Sequence, residues 1–320
     1  MADSISENVG GGSTPRVSLI IPVKDEEDNV VELVDEIEAA LSGISHETIF
    51  IDDGSTDSTL SKIEALRRDC HSIRVIKLKR NWGKSTAMMI GFDAARAPVC
   101  ITMDGDLQDD PAEIPAFLEK MDEGFDLVCG KRDKRRDGIA KRWPSKVYNQ
   151  LSRWILKTEL KDMNCGFKAY DTDLARRLNL YGDMHRYVPI LSNMKGALIT
   201  EMDVNHRPRR HGISKYGARR IMRGIFDLFT VGFLLSFLER PLHFFGRIGI
   251  VFCLAGTAIG GYLVVLKYTA GAAIGDRPLL LLSILLVTTG VQMFMLGLFG
   301  EAFVYRSHER PALDMLGKEL

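Results

Sequence analysis

The stretch "ETIFIDDGSTDSTLSKIEALRR", Glu47 to Arg68, joins an apolar, β-branched run to a polar turn and then to a segment of helical composition. The run is typical of a buried strand, and Asp57 or Ser58 in the turn is placed to cap the N-terminus of a helix. The stretch therefore predicts a strand–turn–helix unit, from which α/β proteins are assembled.

The same unit recurs on both sides of this stretch. Upstream, "RVSLIIPV" precedes a segment whose apolar residues recur at helical spacing, namely Val30, Leu33, Val34, Ile37 and Leu41. Downstream, "IRVIKL", "APVCITMD" and "FDLVCG" have strand composition, and the helical stretches "GKSTAMMIGFDAARA" and "PAEIPAFLEKM" separate them. This alternation predicts an α/β domain with a mostly parallel sheet.

Polar and acidic residues follow three of the predicted strands. They occupy the stretches Pro22 to Glu27, Asp52 to Asp57 and Asp104 to Asp110. Open parallel sheets bind ligands at the carboxyl ends of their strands, where the connecting loops meet. We therefore expect the three loops to line one crevice.

The third of these loops, in "ITMDGDLQDDP", places carboxylates directly after an apolar strand. Burying uncompensated carboxylates is costly, so they either face water or hold a cation. If Asp104 and Asp106 lie on one short turn, their hard oxygen atoms suit Mg²⁺ or Mn²⁺ completed by substrate phosphates. A helix cap or a solvated turn is the alternative, because acidic pairs are common in both.

The composition does not exclude an anionic ligand, although the 320-residue chain has a formal net charge of zero and 46% hydrophobic residues. The segment "GKRDKRRDGIAKR", Gly130 to Arg142, is strongly basic, and a solvated or nucleic-acid-facing loop is its alternative interpretation. The five cysteines are scattered without a CxxC pair, so neither a disulfide framework nor a zinc site is expected, and the thiols should be reduced in the cytosol.

The two ends of the chain differ. Residues 1–16 are polar and rich in glycine and serine, which predicts a disordered leader without a secretory signal. Near the other end, the runs 248–266 and 279–300 carry no charge. At about 1.5 Å per residue, a helix of either length approaches the ~30 Å core of a bilayer. We predict a transmembrane hairpin over 247–303, with a pair of buried core helices as the alternative.

Basic residues flank the predicted hairpin on its outer sides. They are Arg219, Arg220, Arg223, Arg240, Arg247, Arg306, Arg310 and Lys318. The positive-inside rule places both termini, including the tail 304–320, in the cytoplasm of a multi-pass inner-membrane protein. The intervening segment 218–246 begins basic and becomes aromatic and aliphatic, which predicts amphipathic helices in the headgroup layer; a helix of the soluble core is the alternative.

Six motifs in order resemble those of family 2 glycosyltransferases with the GT-A fold. They are "SLIIPVKDEEDNV", "FIDDGSTDST", "NWGKSTAMMIGF", "MDGDLQDDP", "DMNCGFKAYD" and "HRPRRHGISKYG". Within that family, they are similar to the polyprenyl-phosphate glycosyltransferases, which include dolichyl-phosphate mannose and glucose synthases and bacterial undecaprenyl-phosphate sugar transferases. The similarity covers 17–217, which defines the predicted nucleotide-sugar-binding domain.

The resemblance implies roles for particular residues. Those implied to bind the nucleotide sugar are Pro22, Lys24, Glu26, Asp52, Asp53, Lys84 and Asp104. Those implied to hold Mg²⁺ or Mn²⁺ are Asp104, Asp106 and Gln108. Asp162 stands at the family's catalytic carboxylate, and Asp106 and Arg132 are the other implied catalytic residues. Lys24 and Asp25 replace the more usual Tyr-Asn, which puts an aromatic contact to the base in doubt, while Gly105 replaces a more usual Ala.

A phosphate acceptor makes its own demands on the sequence. A phosphate monoester is already anionic at pH 7, so it needs cations more than it needs a strong base. Arginine forms bidentate, charge-assisted bonds with phosphate oxygens. The residues expected to bind the acceptor phosphate are Arg132, Lys141, Arg142, Arg209, Ser214, Lys215 and Tyr216. Asp162 could accept a proton, orient the arginines or serve as a buried cap.

Together these features predict a membrane-anchored inverting glycosyltransferase. It would transfer a hexose from a nucleotide diphosphate sugar, more readily a UDP-sugar than GDP-mannose, to a polyprenyl phosphate such as undecaprenyl or dolichyl phosphate at the cytoplasmic leaflet. A homo-oligomer, with a tetramer as one form, is expected, and nucleic acid is not an expected partner. The alternatives are transfer to another membrane hydroxyl acceptor, such as diacylglycerol, and a noncatalytic sugar-nucleotide-binding scaffold.

Overall fold

A computed structural model describes residues 14–132, 162–163, 165–208, 241–271, 273, 275 and 277–307. The chain divides into two compact units, Met1–Leu228 and Phe229–Leu320. Residues 1–13 of the predicted leader, residues 218–240 of the predicted segment 218–246 and residues 308–320 of the predicted tail lie outside the described residues.

The first unit is built on a seven-stranded sheet. Its strands are β1 (Val17–Val23), β2 (His46–Asp52), β3 (Ile73–Lys77), β4 (Val99–Thr102), β5 (Leu127–Arg132), β6 (Lys168–Asp171) and β7 (Ile199–Val204). Their order across the sheet is β3-β2-β1-β4-β6-β5-β7. Strand β6 runs antiparallel to β4 and β5, and the other neighbouring pairs are parallel. The prediction of a mostly parallel sheet is therefore confirmed.

Helices connect the strands of the sheet. They are α1 (Val30–Ala40), α2 (Thr59–Asp69), α3 (Lys84–Ala94), α4 (Ile114–Asp122), α5 (Thr172–Arg177) and α6 (Val188–Met194), with 3₁₀ turns at Pro111–Glu113 and Met184–Arg186. Ser58 occupies the N-cap position of α2 without a side-chain cap bond. The cap bond comes from Asp57, whose Oδ1 accepts from the backbone N–H of Thr59 at 3.0 Å.

The core is apolar and continuous from the sheet to its helices. On β1, Leu19 and Ile21 are fully buried, and Leu33 and Ile37 of α1 are buried in the same cluster. Each such side chain contributes roughly 1.5–3 kcal/mol when it leaves water. The helical spacing of the α1 residues in the sequence therefore corresponds to the face that packs on the sheet.

The sheet order brings the three polar loops to one edge. Strand β1 lies between β2 and β4, so the loops that follow these strands are neighbours. The last residue of β1 paired with β4 is Ile20, whereas β1 and β2 remain paired to Val23. Pro22 lies beyond the β4 pairing, where its missing N–H interrupts no ladder bond between these two strands. Open α/β sheets bind their ligands where neighbouring strands and their connections diverge in this way.

The second unit contains two long helices, α7 (Pro241–Ala270) and α8 (Pro278–Ser307). Both are long and apolar enough to cross a membrane, with a mean hydropathy of 2.2 and little burial. Helix α7 begins at Pro241, six residues before the predicted hairpin, and proline suits the first turn of a helix. The helices pack closely: a Cβ on Gly249 would lie 2.6 Å from the carbonyl oxygen of Gly290.

Candidate active site

The loops after β1 and β2 are bound to each other by short polar contacts. The Oδ1 atom of Asp25 accepts from the backbone N–H of Thr56 at 2.8 Å, and the N–H of Asp25 donates to Ser55 Oγ at 3.1 Å. Asp25 adopts φ +54°, a left-handed conformation that aspartate tolerates better than most residues. Asp25, a departure from the family pattern, therefore joins the first two loops of the crevice.

Glu26 has a similar supporting position at the start of α1. Its backbone N–H donates to Thr59 Oγ1 at 2.8 Å, and its Oε2 accepts from the amide of Asn29 at 2.6 Å. Lys24 and Pro22, at the end of β1, are both partly exposed. The three residues predicted on this strand end thus lie beside the loop that follows β2.

The two aspartates at the end of β2 differ in their hydrogen bonding. Asp52 is fully buried; its Oδ1 accepts from Ser55 N–H at 2.9 Å, and its Oδ2 has no hydrogen-bond partner in the described part of the chain. A buried acceptor without a donor is costly, so Oδ2 is suited to receive an N–H or O–H from a ligand. Asp53 accepts from the N–H groups of Trp82 and Gly83, at 2.7 and 2.9 Å. Asp53 therefore holds the loop that leads into α3.

An ion pair links the start of α3 to the loop after β4. The ammonium of Lys84 contacts Oδ1 of Asp104, and the two side chains are 29% and 42% exposed. Burial opposes the charge on Lys84, but the carboxylates of Asp104, Asp109 and Asp106 outweigh it and raise the pKa of Lys84. Burial likewise opposes ionisation of Asp104, and Lys84 outweighs it, so that the pKa of Asp104 is lowered. Asp104 is therefore an ionised, solvent-accessible carboxylate.

The rest of this loop is held in one conformation by its own side chains. Oδ2 of Asp109 accepts from the N–H of Asp104 at 3.1 Å, and Oδ1 of Asp106 accepts from the N–H of Gln108 at 3.3 Å. Leu107 adopts φ +60° and is fully buried. A Cβ on Gly105 would lie 2.9 Å from Cγ1 of Val23, which explains why the smallest residue separates the two carboxylates.

The segment after β7 closes over the same loop. Gln108 Nε2 donates to the carbonyl oxygen of Arg207 at 3.3 Å and lies 3.4 Å from Nε2 of His206. His206 Nδ1 is buried, has no hydrogen-bond partner among the described residues, and lies 3.8 Å from Asp109 Oδ1. His206 was not among the predicted site residues, although it is the first residue of the motif "HRPRR".

These residues fit a divalent cation by their chemistry. The carboxylates of Asp104 and Asp106 and the side-chain amide oxygen of Gln108 are hard oxygen donors within one turn, the set that Mg²⁺ or Mn²⁺ shares with substrate phosphates. No group of three or more His, Cys, Asp or Glu side chains in the described ranges is arranged as a complete metal site. A Cβ on Gly166 would lie 3.0 to 3.1 Å from the Asp104 carboxylate, so glycine leaves this carboxylate the room that it occupies.

Arg132 and Asp162 form a bidentate ion pair at the end of β5. Nε of Arg132 donates to Oδ2 of Asp162 at 2.6 Å, and Nη2 donates to Oδ1 at 2.9 Å. The side chains are 15% and 10% exposed. Burial opposes the charge on Arg132, but Asp162 outweighs it and raises the pKa of the guanidinium. Of the three roles considered for Asp162, this geometry favours orientation of the arginine.

A short segment connects this ion pair to the Asp104 loop. Thr102, the last residue of β4, donates from Oγ1 to the carbonyl oxygen of Gly166 at 2.8 Å. Lys168 is 3% exposed, and its ammonium contacts the carbonyl oxygens of Cys165 and Met163. A buried ammonium is costly unless acceptors surround it, so Lys168 fixes the segment between Asp162 and β6. In the sequence, the signal for this role is a lysine between Phe167 and Ala169.

Two further side chains near the crevice are unreactive. Cys165 is 1% exposed, and burial raises the pKa of its thiol to about 11. All five cysteines are free. His185 Nδ1 lies 3.0 Å from Ser85 Oγ, and burial together with the charge of Lys84 lowers the pKa of His185 to about 2. The imidazole is therefore neutral at physiological pH.

The sequence that forms this arrangement matches a known protein family. The family model described as glycosyl transferase family 2 matches residues 18–178. A dodecaprenyl-phosphate galacturonate synthase of Rhizobium johnstonii is 37% identical over 305 residues, which cover 92% of this chain and 90% of the relative. The chain belongs to glycosyl transferase family 2.

Other relatives of this glycosyltransferase have related names. An undecaprenyl-phosphate 4-deoxy-4-formamido-L-arabinose transferase of Pseudomonas paraeruginosa is 34% identical over 289 residues, which cover 89% of this chain and 84% of the relative. A second relative with that name, from Shewanella sediminis, is 36% identical over 290 residues, covering 89% and 86%. Both alignments extend well beyond the residues that the family model matches.

Solved structures support the GT-A fold of the glycosyltransferase. Glucosyl-3-phosphoglycerate synthase from Mycobacterium tuberculosis, solved with Mn²⁺, UDP and glucosyl-3-phosphoglycerate, superimposes with a TM-score of 0.54 at 18% identity. The match covers 71% of this chain and 85% of the solved one. A complex of the same enzyme with Mg²⁺ and UDP gives a TM-score of 0.52 at 20% identity, covering 67% and 79%.

The glycosyltransferase brings all of the residues predicted for the donor and the metal ion to one edge of its sheet. Those on the loops and strand ends of this edge are Pro22, Lys24, Glu26, Asp52, Asp53, Lys84, Asp104, Asp106 and Gln108. Six of the residues predicted to bind the acceptor lie outside the described residues, namely Lys141, Arg142, Arg209, Ser214, Lys215 and Tyr216. Their roles stay predictions.

Proposed function

We propose that this glycosyltransferase transfers a sugar from a UDP-sugar to a polyprenyl phosphate, with inversion at the anomeric carbon. One observation supports this proposal most directly: Asp162, the partner of Arg132, lies four residues before Gly166, which borders the carboxylate of Asp104 and accepts from Thr102. One segment thus connects Arg132, which would bind the acceptor phosphate, with Asp104, which would bind the metal ion of the departing diphosphate. The names of the relatives, which include dodecaprenyl and undecaprenyl phosphate, support the same acceptor class.

The donor half of the site is assigned to the loops after β1, β2 and β3. Asp52 Oδ2 is a buried acceptor that can receive the N–H of a uracil base or a ribose hydroxyl. The loop 80–83, which Asp53 holds, borders the same pocket. A fold relative solved with UDP supports a uridine nucleotide, although this likeness concerns the fold alone.

Asp104, Asp106 and Gln108 are the residues that would hold Mg²⁺ or Mn²⁺. When bound, such an ion neutralises charge on the diphosphate as it leaves. Lys84 stands beside Asp104 and offers a second positive charge to the same phosphates. Lys168 stabilises this part of the site, because its ammonium contacts the carbonyl oxygen of Cys165 and so fixes the segment that carries Gly166.

The reaction needs no protein nucleophile. A non-bridging oxygen of the acceptor phosphate attacks the anomeric carbon, a new C–O bond forms, and the bond from that carbon to the β-phosphate oxygen breaks. The bonding pair leaves with UDP, so one displacement inverts the configuration. Because the acceptor is already anionic at pH 7, Arg132 orients its oxygens and Asp162 orients Arg132.

The membrane supplies the lipid acceptor in this proposal. Helices α7 and α8 have the length and hydropathy to cross a bilayer, and their apolar surfaces are exposed. The basic residues that flank them in the sequence favour an orientation with both termini and the sheet-containing unit in the cytoplasm. The transfer would then take place at the cytoplasmic leaflet of the inner membrane.

Transfer to a membrane hydroxyl acceptor is the second candidate. A hydroxyl group needs a general base, and Asp162 is the carboxylate that the family pattern offers. In the structure, both Asp162 oxygens accept from Arg132. This pairing suits a phosphate acceptor better, because a carboxylate held by a guanidinium is a weak base.

A donor panel with one lipid tests the proposal. Purified full-length protein with Mn²⁺ and undecaprenyl phosphate is supplied with radiolabelled UDP-glucose, UDP-galacturonate or GDP-mannose, and the lipid phase is counted. We expect label from a UDP-sugar to enter the lipid phase, and chelation to abolish this transfer. A parallel assay replaces undecaprenyl phosphate with diacylglycerol. Label that enters the lipid phase with diacylglycerol but not with undecaprenyl phosphate would overturn the acceptor assignment.

Two substitutions test the metal assignment against a matched control. Asp104→Asn and Asp106→Asn keep the side-chain shape and remove the charge, and each should lower turnover by about a hundredfold or more. Asp93→Asn, on the exposed face of α3, makes the same chemical change away from the crevice and should leave turnover unchanged. Wild-type turnover in either of the first two variants would refute the metal assignment.

A further inference from the structure

Helix α8 uses only one of its faces to pack against α7. A Cβ added to Gly290 would lie 2.6 to 2.8 Å from atoms of Cys253 and Gly249, and Ser283 Oγ donates to the carbonyl oxygen of Gly256 at 2.8 Å. Small residues at such a seam let two helices approach closely in a membrane. The opposite face of α8 is exposed.

A polar side chain stands in the middle of that exposed face. Gln292 lies at the centre of the 30-residue helix α8, is exposed, and has no hydrogen-bond partner in the described part of the chain. In a bilayer this position is far from both headgroup layers, where water could satisfy the amide. An amide facing lipid there is unfavourable, so polar side chains in membrane helices usually hydrogen-bond to another helix.

The residues around Gln292 form a regular stripe along α8. The stripe is made up of Leu281, Leu285, Thr288, Gln292, Met295 and Phe299. Their spacing alternates between four and three residues, the pattern of a left-handed helix–helix seam. The large members are highly exposed, with 72% for Leu281, 62% for Leu285 and 71% for Phe299.

We propose that this stripe is the contact between two copies of the chain in the membrane. An amide is both donor and acceptor, so Gln292 from one copy can pair with Gln292 from another across a two-fold axis. Thr288, the other polar member, already donates to the carbonyl oxygens of Ile284 and Leu285 and is thus compatible with an apolar seam. In coiled coils, one polar residue at such a position fixes the register.

The occupant is a second copy rather than the tail of a lipid acceptor. A hydrocarbon chain offers no donor or acceptor, and so it would leave the amide of Gln292 unpaired. A polar group on another protein could pair with it, but the self-complementary amide and the regular stripe require no further partner. The inference rests on the membrane location that the proposed function includes.

Neighbouring positions on α8 give a matched crosslinking test. Leu281 belongs to the stripe, whereas Leu282, at nearly the same depth, is turned by about 100° and is 42% exposed. With wild type as background, Leu281→Cys in native membranes should give an oxidative dimer, and Leu282→Cys should give about tenfold less. Equal crosslinking at both positions, or none at either, would overturn the interface.

A second variant tests the amide itself. Gln292→Leu should lower the dimer fraction of the Leu281→Cys protein by about three- to tenfold on dilution into lipid, whereas Gln292→Asn should retain more of it. An unchanged dimer fraction in Gln292→Leu would overturn the role of the amide. Carbonate extraction of each variant reports membrane insertion separately, so failure of the membrane assignment is distinguishable from failure of the interface. A crosslink to a different protein would also contradict the proposal.

Discussion

Arg132 directs its Nε and Nη2 atoms at the two carboxylate oxygens of Asp162, at 2.6 and 2.9 Å, in one planar, bidentate ion pair. These two bonds engage two of the five N–H groups of the guanidinium. Asp162 is itself held by its backbone N–H, which donates to Glu201 at 3.1 Å. Glu201 of β7 therefore positions Asp162, and Asp162 in turn orients Arg132.

This geometry predicts that Arg132→Ala acts on the acceptor. The apparent KM for undecaprenyl phosphate should rise by about tenfold or more, with the KM for the donor sugar little changed, since a charge-assisted contact to phosphate is lost. Initial rates at varied lipid in mixed micelles measure this effect. Arg132→Lys keeps the charge but lacks the planar guanidinium, so its KM for undecaprenyl phosphate should lie between those of wild type and Arg132→Ala. An unchanged lipid requirement would contradict the assignment.

Asp162→Asn separates an orienting role from a base. If Asp162 orients Arg132, the variant should raise the acceptor KM and leave the shape of the pH–rate profile of kcat unchanged, because no proton passes through the carboxylate. If Asp162 were a general base, the acidic limb of that profile would disappear and kcat would fall by about 10²–10⁴. Profiles of kcat for wild type and variant between pH 5.5 and 9 distinguish the two roles.

Much of the fold was accessible from the sequence because its signals are local. The apolar runs of β1 to β5 and the helical spacing in α1 are set by which residues face the core, and the structure has these elements where the sequence predicts them. Strands β6 and β7 were not predicted. Strand β6 has only four residues and a charged residue at each end, Lys168 and Asp171, and most residues of β7 are only partly buried. Neither run therefore has the apolar pattern of a core strand.

The site was predictable in part for the same reason. Acidic residues at strand ends are visible in the sequence, and the sheet order brings their loops together. The contacts that connect them are not visible, because they join residues far apart in the chain: Lys84 with Asp104, or Thr102 with Gly166. Such pairs depend on the order of the strands in the sheet. The sequence did not predict β6, the antiparallel strand between β4 and β5.

The Lys84–Asp104 contact predicts competition between the ammonium and a metal ion for one carboxylate. Lys84→Met keeps the aliphatic length and removes the charge, so Mn²⁺ should bind the nucleotide-free protein more tightly, by up to about tenfold given the partial exposure of the pair. Turnover should fall, because the diphosphate is no longer stabilised by the positive charge of Lys84. Electron paramagnetic resonance of free Mn²⁺ measures binding without turnover. Equal Mn²⁺ affinity in both proteins would contradict the competition.

Gly166 predicts a steric effect on the same carboxylate. The methyl group of Gly166→Ala would lie 3.0 to 3.1 Å from Asp104, closer than an ordinary contact, and should displace its side chain. The Mn²⁺ concentration for half-maximal activity should therefore rise by about tenfold, as is common for changes beside metal ligands. Gly261→Ala adds a methyl group into open space on α7 and serves as the control. No change in the Mn²⁺ requirement of Gly166→Ala would show that the carboxylate tolerates the methyl group.

His185 predicts a stability effect at acid pH. Its pKa is lowered to about 2 in the folded state by burial and then by Lys84, against about 6.5 in an unfolded chain. Between these values the unfolded state binds more protons, so the stabilisation is complete above about pH 6.5 and is lost as the pH falls, by at most about 1.4 kcal/mol per unit. His185→Gln removes this titrating group, so the variant should lose less stability than wild type between pH 7.5 and pH 5.0. Thermal unfolding midpoints of both full-length proteins at pH 7.5 and 5.0 in one detergent measure it, because groups common to both cancel. Parallel losses in the two proteins would mean that His185 is not held neutral by its surroundings.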